Sequence, residues 1–418
     1  MEGTLDSLWT MIGAILVILM LGGFILLEAG STRMKNAGHI AGKTILTFGI
    51  GSLVFWALGF GLIFGDDAGG FLGLGHFFYD GGQFADTNLS TPVYFVFQLA
   101  FAAISLTIAF GGFAERAKMV VYVIFSIMFS IVVYPIIAHW VWGGGWLSSL
   151  GTQDFAGSTV VHLTGAMAAL AATIILKPRL GKYGKNGVVN SFQGHNQVYT
   201  SLAVLLLWVG WFGFNAGSTV SVADAFFGYV ALNTQLGAAA GAVSALIVSW
   251  IIYGKADVSS ILNGTISGLV AITASCAFVE PWAAVVIGLA AGVITILTAR
   301  MLEKKQIDDP IFAVSVHGTP GVWGTLSTGL FATPELASIG QAGLFYGGGL
   351  TQLGVQVLGV VASGAFAFVI SYVLLKLTQG LTGSLRVSKE EEMMGLDMSE
   401  HGVYGYPELM YDDPNKVS

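Results

Sequence analysis

Two histidines lie deep in apolar stretches of this chain, and each follows an aspartate by eight residues: His162 after Asp154, and His317 after Asp309. An imidazole in an apolar helix loses its hydration unless another group hydrogen-bonds it. Two such rings in matching contexts imply that they serve each other or a substrate. If the rings touch, one nitrogen must donate and the other accept, so both tautomers are fixed and a proton can pass between them. In a narrow apolar lumen the pair suits a small neutral solute able to donate or accept a hydrogen bond.

Other residues could act beside them. Asp154 opens the run Asp154-Phe155-Ala156-Gly157-Ser158-Thr159, where a helix begins, and a carboxylate there caps free amides and meets the favourable end of the helix dipole. Capping and the organisation of a cation site are both open to it. Trp142 stands just before Gly143-Gly144-Gly145, Trp211 and Phe214 share the run 208–215, and Phe101 closes Gln98-Leu99-Ala100-Phe101. Interfacial anchoring accounts for many membrane aromatics, but a cation beside a hydrophobic pore also needs π faces in place of its water. Ser218 would add one hydroxyl acceptor to such a cage.

The elements that position these groups follow from composition. The 418 residues are 55% hydrophobic and 10% charged, whereas about a quarter of the residues of a soluble protein are charged. The chain therefore reads as an all-α, polytopic membrane protein. A crossing helix needs roughly 20 apolar residues, and that length predicts spans near 8–30, 40–65, 91–114, 119–143, 158–177, 196–219, 226–253, 262–280, 282–301, 311–333 and 353–378. These are eleven spans, with the termini on opposite sides. The start, Met1 to Trp9, has Glu2 and Asp6 but no Lys or Arg, unlike the basic head of a secretory signal. The first apolar segment is thus expected to stay as a helix. The single cysteine, Cys276, lies in an apolar run and reads as a small packing side chain.

The basic residues orient the spans. Arg33, Lys35 and Lys43 border the first connection, Arg116 and Lys118 the third, and Lys177, Arg179, Lys182 and Lys185 the fifth. Lys255 borders the seventh, Arg300, Lys304 and Lys305 the ninth, and Lys376, Arg386, Lys389 and Lys416 fall at the end of the last helix and in the tail. All 17 lie on one side, which the positive-inside rule makes cytoplasmic. The N-terminus is expected outside and the C-terminus inside. The opposite loops hold Asp66, Asp67, Asp80, Asp86, Asp224, Glu280 and Glu335, as solvated loop acids or as a field that modestly enriches cations. The net charge of -7 disfavours nucleic-acid binding.

An odd helix count can hide a five-helix inverted repeat plus one extra helix. Glu28-Ala29-Gly30-Ser31-Thr32 ends the first span and Asn215-Ala216-Gly217-Ser218-Thr219 the sixth, while Asp154/His162 and Asp309/His317 open the fifth and tenth. Entering from opposite faces, those two helices would bring the histidines together near the midplane. Many of the 58 glycines fall within spans, where they let helix backbones approach closely.

The runs Asp154 to His162, Trp208 to Ser218 and Asp309 to Gly318, with the tail segments 385–392 and 395–402, together resemble the ammonium transporter group (Amt, Mep and Rh proteins), in particular its bacterial Amt branch. The likeness extends from about residue 5 to 402. It implies eleven transmembrane helices in a pseudo-twofold bundle over residues 1–380, a cytoplasmic tail over 381–418, and a homotrimer in the cell membrane with a separate pore in each subunit. It places Phe101, Trp142 and Ser218 at an outer ammonium-recruiting site, with Asp154 shaping that site and assisting deprotonation. Phe101 and Phe214 would be stacked rings closing the vestibule, and His162 and His317 the twin pair lining the pore, supported by Trp211 and Asp309. Methylammonium should fit the same site, and no cofactor is implied. The tail would couple subunits and dock a PII-type, GlnK-like regulator. Two features depart from the family pattern: many relatives carry a cleaved signal sequence, and the tail here has Val403 where an acidic residue is common, followed by a Tyr-rich extension from Tyr404 to Tyr411. By polarity alone the tail is a solvated charged segment.

Two other classes of function remain. A membrane enzyme with the histidines as metal ligands would need a third His, Cys or converging carboxylate, and none is evident. An ammonium sensor would signal through its tail, which is too short for a kinase or cyclase domain but could recruit a partner.

Overall fold

A computed structural model of the chain describes residues 2–83, 89–185 and 188–410; Asp86, Tyr411 and Lys416 lie outside them. In hydrocarbon every amide must find its partner within its own segment, so apolar runs of this length become helices. In chain order, α1 spans Glu2–Ser31, α2 Met34–Phe64, α3 Thr91–Phe113, α4 Met119–Ser149, α5 Ser158–Leu176, α6 Gln197–Thr219, α7 Ala223–Tyr253, α8 Val258–Ser275 and α9 Pro281–Lys304, followed by α10 over 314–331 and α11 over Thr351–Thr382.

Among the described residues, ten of these helices are long and apolar enough to cross a membrane, and α10 is not one of the ten. Its hydropathy is diluted by Gly321, Gly324, Thr325, Ser327 and Thr328, all of them buried. A helix enclosed by protein need not be as greasy as one that meets lipid. Several helices also outrun the expected spans: α1, α2 and α11 reach 30, 31 and 32 residues, because polar end turns continue a helix wherever nothing stops it.

Glycine sets the helix spacing at several contacts. A Cβ on Gly112 of α3 would sit 2.2 Å from Ala169 O of α5, and one on Gly241 of α7 would sit 2.3 Å from Gly264 O of α8. Either substitution would push the backbones apart.

Among the described residues, four stretches are wound as π turns, Phe55–Gly59, Phe129–Val133, Ser158–Leu163 and Val314–Gly318. Such turns are uncommon and are frequent at functional sites. Two of the four carry His162 and His317.

One end of the bundle gathers the basic connections. The buried Arg179 bridges Glu115 (Nη1 to Oε1, 2.6 Å) and Asp308 (Nε to Oδ2, 2.9 Å). Arg33 pairs with Glu115 and Arg116 lies 3.9 Å from Asp308. Burial alone would raise the Asp308 carboxyl, but the Arg179 guanidinium outweighs it and holds the group down at about 2.

The tail docks on this same end rather than standing free as a solvated segment. Lys118 N donates to Leu385 O and Val387 N to Arg116 O. Short helices α12 (Lys389–Met394) and α13 (Leu396–His401) follow. Asp397 accepts the Gly38 and His39 amides at the start of α2, and Glu400 accepts Met119 N at the start of α4. Carboxylates at helix N-termini satisfy free donors and the dipole together, which is why an acidic tail adheres there. At the opposite end a two-residue hairpin, β1 (Asp66–Asp67) with β2 (Gly73–Leu74), lies over the end of α4.

Candidate functional site

The two aspartates create the turns that carry the histidines. Asp154 Oδ2 accepts the amides of Thr159 (3.0 Å) and Val160 (2.9 Å), and Oδ1 accepts Gly157 N (3.2 Å). Gly157 has φ 110°, and a Cβ there would sit 3.0 Å from the Trp142 ring; only glycine suits both the backbone and the space. The chain then winds as a π turn in which His162 N donates to Gly157 O at 3.1 Å. On the other side Asp309 Oδ2 accepts Val314 N (3.1 Å), Ser315 N (3.0 Å) and Ser315 Oγ (3.0 Å), and the next π turn holds His317. Capping by Asp154 is therefore observed. Burial pushes its carboxyl up to about 6, against the opposing pull of the amides it accepts.

The two imidazoles meet. His162 Nδ1 and His317 Nδ1 are 3.2 Å apart, with ring centroids 5.2 Å apart and planes 16° from parallel. One Nδ1 must carry the hydrogen and the other the lone pair. The donor ring then has a bare Nε2 and the acceptor ring an Nε2–H, so the pair can offer one acceptor and one donor. His162 is fully buried, and its Nε2 has no hydrogen-bond partner among the described residues.

Aromatic faces continue the column. His162 stacks on Trp211 (5.1 Å, 17°) and on Phe214 (5.4 Å, 28°). Phe214 stacks on Phe101 at 4.2 Å, and Phe101 meets the Trp142 ring edge-on at 6.0 Å. The order Trp142, Phe101, Phe214, His162, His317 is thus a continuous run of ring contacts. Trp142 is tied down by Nε1 donating to Asp154 O at 2.8 Å. Ser218 Oγ donates to Phe214 O at 2.6 Å, which leaves its lone pairs available to accept. Trp211 is fully buried and does not serve as an interfacial anchor.

Two residues escaped the sequence reading. Phe24 of α1 lies 6.3 Å from His317, ring centroid to ring centroid. Thr273 of α8 accepts Trp211 Nε1 at 2.8 Å and so sets the indole against His162. Neither carries a signal that separates it from the apolar and hydroxyl residues around it. Beyond the histidines, Asp309, Phe312 and Ser315 line a cavity of about 660 Å³ at the basic end, together with Arg179 and Asp308. Among the described residues no group of three or more His, Cys, Asp or Glu is placed to hold a metal ion.

Apolar helices around a column of aromatic and imidazole rings define a multi-pass membrane protein of the transporter class. Residues 8–406 match the sequence profile of the Ammonium Transporter Family, and the chain belongs to that family. It is 42% identical to the ammonium transporter Amt2 of Archaeoglobus fulgidus, covering 98% of this chain and 90% of that one. It is 37% identical to the ammonium transporter of Bacillus subtilis, over 97% and 99% of the two chains. Among solved structures, a protein described as a sensor Amt protein superposes with a TM-score of 0.91 at 37% identity, over 96% of this chain and 99% of that one. Mep2 of Candida albicans superposes with a TM-score of 0.87 at 30% identity, over 98% and 91%.

Proposed function

We propose that the chain carries ammonium across the cell membrane as ammonia. The cation is recruited outside between Trp142, Phe101 and Ser218, with Asp154 shaping the site, and gives up its proton there. NH3 then passes the Phe101/Phe214 gate and moves along His162 and His317 into the cytoplasm, with the proton following on its own route or remaining outside. Desolvating NH4+ in an apolar lumen would be very costly, whereas NH3 is small and neutral. The observation that carries this reading is the 3.2 Å contact between the two Nδ1 atoms inside a column of aromatic rings. That contact fixes one donor and one acceptor, matching a solute that is both. Methylammonium is the next substrate expected at the same site.

In this reading α10 is the eleventh crossing, helices α1–α5 and α6–α10 are inverted repeats over residues 1–380, and α11 is additional. The basic end and the tail, 381–418, are cytoplasmic, and three chains form a trimer with one pore each. Docking of a PII-type regulator on the tail belongs to the same proposal.

The test is a transient current in proteoliposomes after an ammonium concentration jump, comparing the native chain with His162→Ala. A native current that the variant loses or alters supports charge movement through the histidine pore. Absence of a current, with NH3 flux still visible as an internal pH change, would make conduction electroneutral. Absence of both signals would favour a second reading, an ammonium sensor signalling through its tail. That reading draws on the likeness to the sensor Amt protein and on the carboxylates that clip the tail to α2 and α4.

A further inference from the structure

His139 of α4 is fully buried, and both of its ring nitrogens face acceptors. Nδ1 is 2.6 Å from Ile63 O, and Nε2 is 2.9 Å from Asp67 Oδ1. A backbone carbonyl accepts only, so Nδ1 must bear a hydrogen. Nε2 can meet an ionised carboxylate only by bearing one as well. Asp67 is half exposed and also accepts the Gly70 amide. The hydrogen bond from the ring, then that amide, hold the Asp67 carboxyl below its ordinary range.

The surroundings show what this pair anchors. The His139 carbonyl accepts the amides of Gly143 and Gly145, both at 3.0 Å, so the turn that ends α4 closes on this residue. A Cβ at Gly143 would sit 2.6 Å from His139 Nδ1 and 2.0 Å from Ile63 O. Hence the first glycine of the 143–145 run is needed for the ring to reach the carbonyl. Trp142 is the residue immediately before that turn. The hairpin closes over it through Trp146 N to Gly70 O and Trp140 Nε1 to Phe71 O, both 3.0 Å. Asp67 faces the ring from the hairpin with Asp66 beside it in the strand, α2 presents Ile63 O, and the 143–145 turn presents backbone.

We propose that Asp67 and His139 are positioning residues: an imidazolium–carboxylate latch, present only while His139 holds both ring protons, fixes the outer end of α4 and so aims Trp142 at the incoming cation. This rests on the transport reading above and adds an external proton requirement to it. Loss of one proton leaves a ring nitrogen lone pair against an oxygen, so one of the two anchors opens. The hairpin or the Ile63 contact is then released, and Trp142, held only by its Nε1 bond to Asp154 O, is no longer fixed beside Phe101 from its own helix.

The variant that isolates the proton is Asp67→Asn. Its amide NH2 can donate to the lone pair of a neutral His139 while Nδ1–H keeps Ile63 O, so the latch closes without the extra proton. Methylammonium uptake into proteoliposomes is measured at constant cation concentration while the external pH rises from about 6 to about 9. Native uptake falls by about tenfold across that range. Asp67→Asn keeps its uptake and loses most of the fall, and Asp67→Ala is low throughout. Nitrogen-15 NMR of ring-labelled protein in liposomes at low external pH shows a doubly protonated ring in the native chain that Asp67→Asn lacks. Identical pH profiles for the native chain and Asp67→Asn, or no doubly protonated ring in the native chain, would overturn the latch. A native chain without uptake but with that ring overturns the transport reading and the positioning role with it; the pair itself is judged by the NMR alone.

Discussion

Asp154 holds three buried amides on one carboxylate, two on Oδ2 and one on Oδ1, and its removal separates stability from chemistry. Asp154→Ala leaves the amides of Gly157, Thr159 and Val160 without their acceptor at the head of α5. Each unpaired buried donor costs about 1 to 3 kcal/mol, so the change destabilises by about 3 to 9 kcal/mol. The lower end is expected, because hydrogen bonds inside membrane proteins have averaged about 0.6 kcal/mol. Asp154→Asn, turned with its oxygen in the place of Oδ2, keeps the two shorter bonds and sets its NH2 against the Gly157 amide, a loss of about 1 to 3 kcal/mol. The asparagine variant should therefore lose less stability than the alanine variant while lacking the proton acceptor just as fully. Thermal unfolding followed by tryptophan fluorescence should rank native, Asn, Ala in falling order. Methylammonium uptake should drop by about a hundredfold in both variants, the usual scale for losing a group that moves a proton. An alanine variant as stable as the native chain would refute the capping argument, and an asparagine variant with native uptake would refute deprotonation at Asp154.

Further consequences can be measured separately. Thr273→Val removes the acceptor of the buried Trp211 Nε1, at about 1 to 3 kcal/mol; uptake should fall as the indole leaves His162, and Thr273→Ser should restore it. Arg179→Ala leaves the Glu115 and Asp308 carboxylates buried without their shared cation, about 3 to 5 kcal/mol by the usual effect of breaking a buried pair. The readout is yield and unfolding temperature in detergent, with Arg179→Lys intermediate because an ammonium cannot reproduce the forked contact. Asp308 also sets a pH window. Its folded value of about 2 lies below that of an unfolded aspartate, about 3.9, so its stabilisation is complete above about pH 4 and disappears as pH falls toward 2. Unfolding temperature should respond to acid only in that window through this group, and the slope should be absent from Asp308→Asn.

Much of the fold was legible because the bilayer imposes a length and a composition on each crossing. The expected spans fall on the helices found, and the resemblance agrees with the family to which the chain belongs. The tenth was the hard case: its glycines, serines and threonines are affordable only where protein rather than lipid surrounds them. The meeting of His162 with His317 follows from two matching motifs 155 residues apart, which a single sequence displays as a repeat. The docked tail was not legible. Its acids read as a solvated face, since nothing in the run Leu396 to His401 announces that free amides of α2 and α4 wait opposite Asp397 and Glu400. Phe24 and His139 were hidden for a related reason. A phenylalanine among apolar residues and a histidine in an aromatic turn gain meaning only from what they face.

The two π turns explain why the histidines meet as they do. An N-cap carboxylate reaches the second or third amide of its helix; Asp154 and Asp309 stand a few residues before their turns, and each folds back across that loop to accept early amides of the turn, Thr159 and Val160 for one and Val314 and Ser315 for the other. The π turn, one residue wider than an α turn, rotates the residues toward its end relative to an α-helical course. His162 and His317 are each the penultimate residue of such a turn. Because the same cap and the same winding occur at both, the two rings can present the same nitrogen, Nδ1, to each other with nearly parallel planes. A substitution that returned either turn to α-helical winding would swing its ring away from the partner even with both histidines intact. Asp154→Ala and Asp309→Ala should therefore each disturb the pair from a distance, one from each end of the column.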